Sequence, residues 1–243
     1  MSHVNVAHNF SIIVPTFHEA NNITTLVNRI AQVDFGNRQF ETIFIDDNSE
    51  DGIIDIINQL QTTYPWLKLI VRYKTKSLSA AVIEGFQQAT YPTLVIMDAD
   101  LSHPPEKIPA LLCALEETGT DMVIGSRYIM GGSMDRKWPI TRQCASRLSA
   151  FAANLLLSMH LNDPLSGFIA IKKTTLHGAS LKTTSWKIGL EIIVKCHCTQ
   201  IKEIPIHFAN RLHGKSKLSL FVVFNYLRHI NNLFFYKIFL QKK

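Results

Sequence analysis

Through its first half the chain repeats one pattern: a short run rich in Ile, Val, Phe and Leu, then a longer segment whose apolar residues recur every three or four positions. The runs at 11–14, 41–45, 68–72, 93–97 and 122–125 read as strands. The segments at 20–33, 52–62, 79–89 and 106–117 read as helices. Strands separated by helices pair through crossovers, so the alternation predicts an α/β fold with a mostly parallel, doubly wound sheet. An apolar share of 47% with 18% charged residues over 243 positions supplies the core such a sheet needs, and disorder is not expected. Open sheets of this kind bind ligands beyond the carboxyl ends of their strands.

The run at 93–97 ends on Asp98-Ala99-Asp100. In extended chain the side-chain period of two would aim both carboxylates to one side, where they repel unless a cation sits between them. Mg2+ or Mn2+ suits such a pair, because a hard divalent ion takes one or two carboxylates and completes its shell with water and phosphate oxygens. A metal-bridged diphosphate is therefore expected here. Pro104 fits the first turn of the next helix, with Ser102 or His103 as its N-cap.

Other strand ends also carry polar groups. Pro15-Thr16-Phe17-His18-Glu19 opens a helix, whose positive end receives anions or polar ligand edges. Asp46-Asp47 offers acceptors for a base or ribose, an arrangement that phosphoacceptor receiver domains share. Gly125-Ser126-Arg127-Tyr128 precedes Gly131-Gly132, and Arg211-Leu212-His213-Gly214-Lys215-Ser216-Lys217 gathers cations in a short span. Arg binds phosphate oxygens through a fork and Lys through a mobile point charge. The acids would hold an ion and the bases the phosphates. The net charge of +6, its basic residues concentrated after residue 125, fits anionic phosphates or an acidic lipid surface and would also attract nucleic acid.

Beyond Arg127 the reading is a long helix at 140–159, a strand at 168–171, a helix at 186–198 and a strand at 203–208. The tail at 218–240 is helical, with Asn225, Arg228, His229, Asn231 and Asn232 in one arc and Tyr226, Leu227, Ile230, Leu233 and Phe234 opposite. It either packs on the domain or lies on a membrane with Lys237, Lys242 and Lys243 near headgroups. No apolar stretch approaches the ~20 residues that span a bilayer, and residues 1–10 lack the pattern of a signal peptide. Cys113, Cys144, Cys196 and Cys198 show no disulfide or zinc spacing, so packed thiols in a reducing compartment are expected. The division expected is a catalytic domain at 1–217 and an amphipathic tail at 218–243.

The ordered motifs V-P-T-F-x-E, I-D-D-x-S, D-A-D-L-S-H-P-P-E, G-S-R-Y-x-x-G-G, D-x-x-S-G-F and R-x-x-G-x-S-K resemble the family-2 glycosyltransferases, in their dolichyl (polyprenyl) phosphate mannosyltransferase branch, from about Phe10 to Lys217. The resemblance implies a GT-A fold and metal-dependent, inverting transfer of mannose from GDP-mannose to a polyprenyl or dolichyl phosphate. It also implies a membrane surface as partner, with small membrane subunits in some relatives, no nucleic acid, and a peripheral position on the cytoplasmic face. Carried over, Pro15, Phe17, Glu19, Ile45 and Asp47 line the nucleoside pocket. Asp98, Ala99 and Asp100 meet the diphosphate through the metal, with Ser102 where many relatives have a metal-facing Gln. Arg127, Arg211 and Lys217 engage the phosphates and, with Asp100, form the catalytic set.

Phe17 stands where Tyr is usual, Asn210 replaces an Asp, Ser77 and Ser79 replace glycines, and Ile169 replaces a frequent Arg. The loss of the glycines and of the Arg bears on which donor or lipid fits. Two alternatives stay open: the same transfer from UDP-glucose or another UDP-sugar, and a non-catalytic nucleotide-sugar-binding module. A nucleotidyltransferase is disfavoured because residues 11–19 contain no glycine, and a processive synthase because Q-x-x-R-W is lacking.

Overall fold

The computed structural model describes residues 8–73, 76–135, 140–182, 187–210 and 220–239. Strands β1 (Phe10–Thr16), β2 (Phe40–Asp46), β3 (Leu67–Val71), β4 (Thr93–Ile96) and β5 (Met122–Ser126) alternate with α1 (Ala20–Ala31), α2 (Ile53–Gln61), α3 (Leu78–Gln88) and α4 (Ile108–Glu116). A 3-10 turn at Pro105–Lys107 leads into α4. There follow β6 (Ser133–Met134), α5 (Ile140–Leu157), β7 (Ile169–Lys172), α6 (Ile188–Lys195), β8 (Ile201–Pro205), β9 (His207–Phe208) and α7 (Leu220–Phe239). The strand expected at 203–208 is two strands: β8 pairs with β5, the chain bends at the buried Ile206, and β9 pairs with β6.

The main sheet has the order β3-β2-β1-β4-β7-β5-β8. All neighbours are parallel except β7, which runs antiparallel to both β4 and β5. Alternation along each strand divides the core. Ile12, Val14, Phe44, Val95, Val123 and Ala170 face α1, α2 and α4; Ile13, Ile43, Ile45, Ile96, Ile124 and Ile169 face α3 and α6. Helix α3 lies so close to β1 that a Cβ on Gly85 would stand 2.5 Å from Ile13 Cγ2.

The chain leaves β1 outward through β2 and β3, then returns to β1's other side as β4. That reversal opens a crevice at the carboxyl ends of β1 and β4, the usual ligand position in a doubly wound sheet. Because β7 is reversed, its entrance Ser166-Gly167-Phe168 comes to the same edge as the exits of β4 and β5.

Helix α7 packs on α5 and α6 through Tyr226, Ile230 and Leu233, and Tyr226 Oη donates to the Ser149 carbonyl at 2.5 Å. The face expected to be buried is rotated: Leu227 is 53% exposed, while His229 turns inward with Nε2 3.7 Å from the buried Glu191 Oε2. Outward, Phe224, Leu227, Phe235 and Phe239 are interspersed with Arg228, Asn231 and Asn232, and α5 exposes Leu148, Phe151 and Leu155. Among the described residues no helix is long and apolar enough to cross a membrane. Cys196 and Cys198 follow α6, where burial pushes their thiols up to about 11 and about 12.

Candidate functional site

The acidic pair does not lie in extended strand. β4 ends at Ile96, and 98–103 form a turn in which Leu101 takes φ 65°. The two carboxylates therefore differ: the Asp98 side chain is 36% exposed, whereas Asp100 is 4% exposed. Asp100 Oδ1 accepts from the Ser102 hydroxyl at 2.5 Å and from the Ser102 N–H at 3.1 Å. Ser102 is fully buried, and its own carbonyl accepts from Ala209 N–H at 3.2 Å. Neither Ser102 nor His103 caps a helix, since Pro104 holds the N-cap position without a side-chain bond.

His103 instead orders the turn. Its Nδ1 accepts from the Asp98 N–H at 2.9 Å, and its ring stacks on Phe168 with centroids 5.2 Å apart. Burial holds its pKa below the ordinary histidine value, against the pull of Asp98 and Asp100, so the ring is neutral with its proton on Nε2. A Cβ on Gly167 would stand 3.6 and 3.7 Å from the two Asp98 oxygens, so the bare glycine keeps the space before that carboxylate open. Two hard oxygen donors in a turn, one exposed and one ordered from behind, fit a divalent ion that takes its other ligands from water and phosphate. Among the described residues no three His, Cys, Asp or Glu side chains converge as a closed metal cage, which a site of that open kind does not require.

The residues expected at the nucleoside pocket flank the same crevice. Lys76 Nζ lies 4.2 Å from the Phe17 ring centroid, and Glu19, at the N-cap of α1, accepts from Asn22 Nδ2 at 2.6 Å. Pro15 pairs in register with Ile45. Ile45 itself is fully buried, its side chain packed in the α3 face of the core. Asp47 is ion-paired with Arg72 and accepts from the Ser77 N–H at 2.7 Å. Burial pushes the Asp47 carboxyl up, with the Ser77 N–H and Arg72 drawing it the other way. Ser77, where glycine is usual, has extended backbone (φ −161°) and caps α3 by accepting from the Ala80 N–H, so no glycine is needed. Asp46 fixes the loop beneath, accepting from Thr16 Oγ1 at 3.1 Å, Ser49 Oγ at 2.7 Å and Ser49 N–H at 2.6 Å.

Arg127 leaves the end of β5 and meets a partner the sequence reading did not single out. Its Nε and Nη2 each donate to Asp163 at 2.7 Å, and its backbone N–H donates to the same carboxylate at 3.0 Å. The pair raises the Arg127 pKa against the effect of burial, and Asp98 adds to the rise from nearby. Gly132 lets its own loop pass against the Ser126-Arg127 backbone, because a Cβ there would stand 2.7 Å from Ser126 O. Arg211 and Lys217 lie outside the described residues; the chain before them is held at the acidic turn by the Ala209 to Ser102 bond. The motif D-x-x-S-G-F was the signal for Asp163, but no local feature said that its carboxylate faces Arg127. A cavity of about 430 Å3, lined by His160, His197, Cys198 and Lys237 among others, lies near the start of β8, at the opposite end of the sheet.

Residues 11–177 match the sequence model of the family described as glycosyl transferase family 2. The dolichol-phosphate mannosyltransferase of Pyrococcus furiosus is 39% identical over 225 residues, a match covering 92% of this chain and 63% of that protein. The chain thus spans under two thirds of that relative's length. The dolichol-phosphate mannosyltransferase of Mycosarcoma maydis is 38% identical over 234 residues, covering 92% of this chain and 78% of that protein. Among solved structures, a mannosyltransferase from Pyrobaculum calidifontis in complex with GDP-Man and Mn2+ superposes with a TM-score of 0.64 at 17% identity, over 86% of this chain and 58% of that one. At that identity the likeness is one of fold, and the fold is the GT-A type. By the span of the family match and the identity to these relatives, the chain belongs to glycosyl transferase family 2, in the branch of the dolichol-phosphate mannosyltransferases.

Proposed function

We propose that the chain transfers mannose from GDP-mannose to dolichyl or another polyprenyl phosphate, with inversion, giving a lipid-phosphate-linked sugar. The observation that carries this reading is the turn at 98–103, which sets one open and one ordered carboxylate at the sheet's switch point, in a chain whose relatives carry that name. Asp98 and Asp100, with Ser102 ordering Asp100, would hold Mg2+ or Mn2+, whose chemistry when bound is to offset the charge on the departing nucleoside diphosphate. The solved neighbour that carries Mn2+ beside GDP-Man supports that choice of ion.

Pro15, Phe17, Glu19, Asp47 and the Ile45 backbone border the nucleoside, and Ala99, whose methyl packs in the core, borders the diphosphate by its backbone. Arg127, Arg211 and Lys217 orient the phosphates. The acceptor phosphate attacks C1 of the sugar from the face opposite the leaving group. Its second pKa of ~6 leaves it largely ionised at pH 7, so no general base is required of the protein.

The division at residue 217 separates this machinery from the tail at 218–243, whose helix α7 packs on α5 and α6. The outward apolar residues of α7 and α5 meet a lipid surface, and the protein works as a peripheral protein on the cytoplasmic face, alone or with small membrane subunits. The test is transfer of labelled sugar from a panel of nucleotide sugars into an organic-extractable product. Label from GDP-mannose alone is the expected result; label from UDP-glucose moves the donor, and no labelled lipid from any donor overturns the reading.

A further inference from the structure

Asp163 is fully buried, yet it carries a charge and lies between two other charged groups. On one side it takes Nε, Nη2 and the backbone N–H of Arg127. On the other its own backbone is held: Glu203 Oε1 accepts from the Asp163 N–H at 2.8 Å, and Glu203 Oε2 accepts from Asn162 N–H and Nδ2, both at 2.9 Å. Glu203 sits in register with Ile124 in the paired strands β5 and β8, so the carboxylate is referred to the sheet itself. The guanidinium lies 5.0 Å from the Tyr128 ring centroid and 5.2 Å from that of Phe208, and it feels the charge of Asp98. A long side chain that must meet a phosphate has many rotamers; this one is oriented by a fork whose far end is buried and tied to Glu203.

We propose that Asp163 is a positioning residue of the transfer reaction, acting only through Arg127, and that Glu203 holds Asp163 in turn. The proposal rests on the function stated above. A buried carboxylate needs a partner in any case; what points beyond loop closure is that this partner is the guanidinium beside the acidic turn, held in a bidentate fork.

The test is a double-mutant cycle of Asp163→Asn and Arg127→Gln, with kcat and KM measured for donor and acceptor separately. Asp163→Asn is expected to raise the KM of the same substrate as Arg127→Gln does, by about tenfold, and to leave the other KM within about twofold. Added to Arg127→Gln it is expected to change nothing further. Full additivity, or a loss of kcat with both KM values unmoved, makes Asp163 a structural residue and overturns the proposal. Should Asp163→Asn fail to fold, Asp163→Glu keeps the charge and displaces the fork by one methylene, and unchanged KM values there overturn it equally. A readout independent of turnover is the Arg127 Nε–H resonance, expected to be sharp and shifted in the wild type and lost to exchange in Asp163→Asn; an unaltered resonance contradicts the clamp. Because that spectrum needs no substrate, a wild-type protein that transfers no sugar fails the functional reading while the clamp is still judged.

Discussion

Asp98 and Asp100 are two residues apart and chemically identical, but the turn gives them different work. Asp100 satisfies the Ser102 hydroxyl and N–H, so Asp100→Ala removes two hydrogen bonds from a buried turn along with a carboxylate. Asp98 accepts no such bond from Ser102 and is a third exposed, which makes Asp98→Ala the cleaner probe of chemistry. We expect it to lower transfer by about 100-fold or more while the melting temperature stays within about 2 °C, measured by turnover and by thermal scan. Loss of both together would mean the carboxylate is structural. In wild type, excess EDTA should abolish transfer, and Mn2+ should restore it.

Residue identities were legible where the chemistry is local. Carboxylates after a strand and a glycine pair after Arg127 announced themselves. What failed was geometry: the strand period applied to Asp98 and Asp100 does not survive the strand's end at Ile96, and the His103 ring is an acceptor for a backbone N–H and not a cap. The Asp163 fork was illegible because Arg127 and Asp163 meet only through the antiparallel pairing of β5 with β7.

At the level of elements, the first half was readable because each strand is short, apolar and bounded, and each helix shows its inner stripe. Pairing was not readable, since nothing near residues 169–172 says that they run against both neighbours. The α3–β1 contact is a sharp constraint of this kind: Gly85→Ala puts a methyl group 2.5 Å from Ile13 Cγ2, and we expect a loss of about 1–3 kcal/mol in chemical denaturation with the unfolding slope unchanged. The outward side of α7 lends itself to a different measurement. Phe235→Asp and Phe151→Asp alter exposed apolar residues, so vesicle sedimentation should fall sharply while the thermal midpoint holds; undiminished sedimentation by the double variant would show that this face meets no lipid.

For the whole molecule, two histidines contribute to the loss of stability on the acid side. Burial lowers the pKa of both His103 and His229 from the ordinary 6.5, the latter with Glu191 opposing and Lys195 and Lys182 assisting. Well above the ordinary value of 6.5 the rings are neutral in folded and unfolded chains alike. As pH falls below that value the unfolded chain takes up protons first. Stability therefore declines, by up to about 1.4 kcal/mol per pH unit for each ring, until the folded pKa is passed. Urea midpoints at pH 7.5 and 5.5 should show the decline, and His229→Gln should lessen it.

The reversed strand β7 also dictates an order of assembly. Until residues 169–172 leave the ribosome, β4 stands as a bare margin with unpaired amide and carbonyl groups, and β5 has no sheet to join. A nascent chain halted before that point carries an adhesive rim that invites cross-pairing with its neighbours, so fragments cut short of β7 should pellet on expression while those extending through β8 stay in the supernatant.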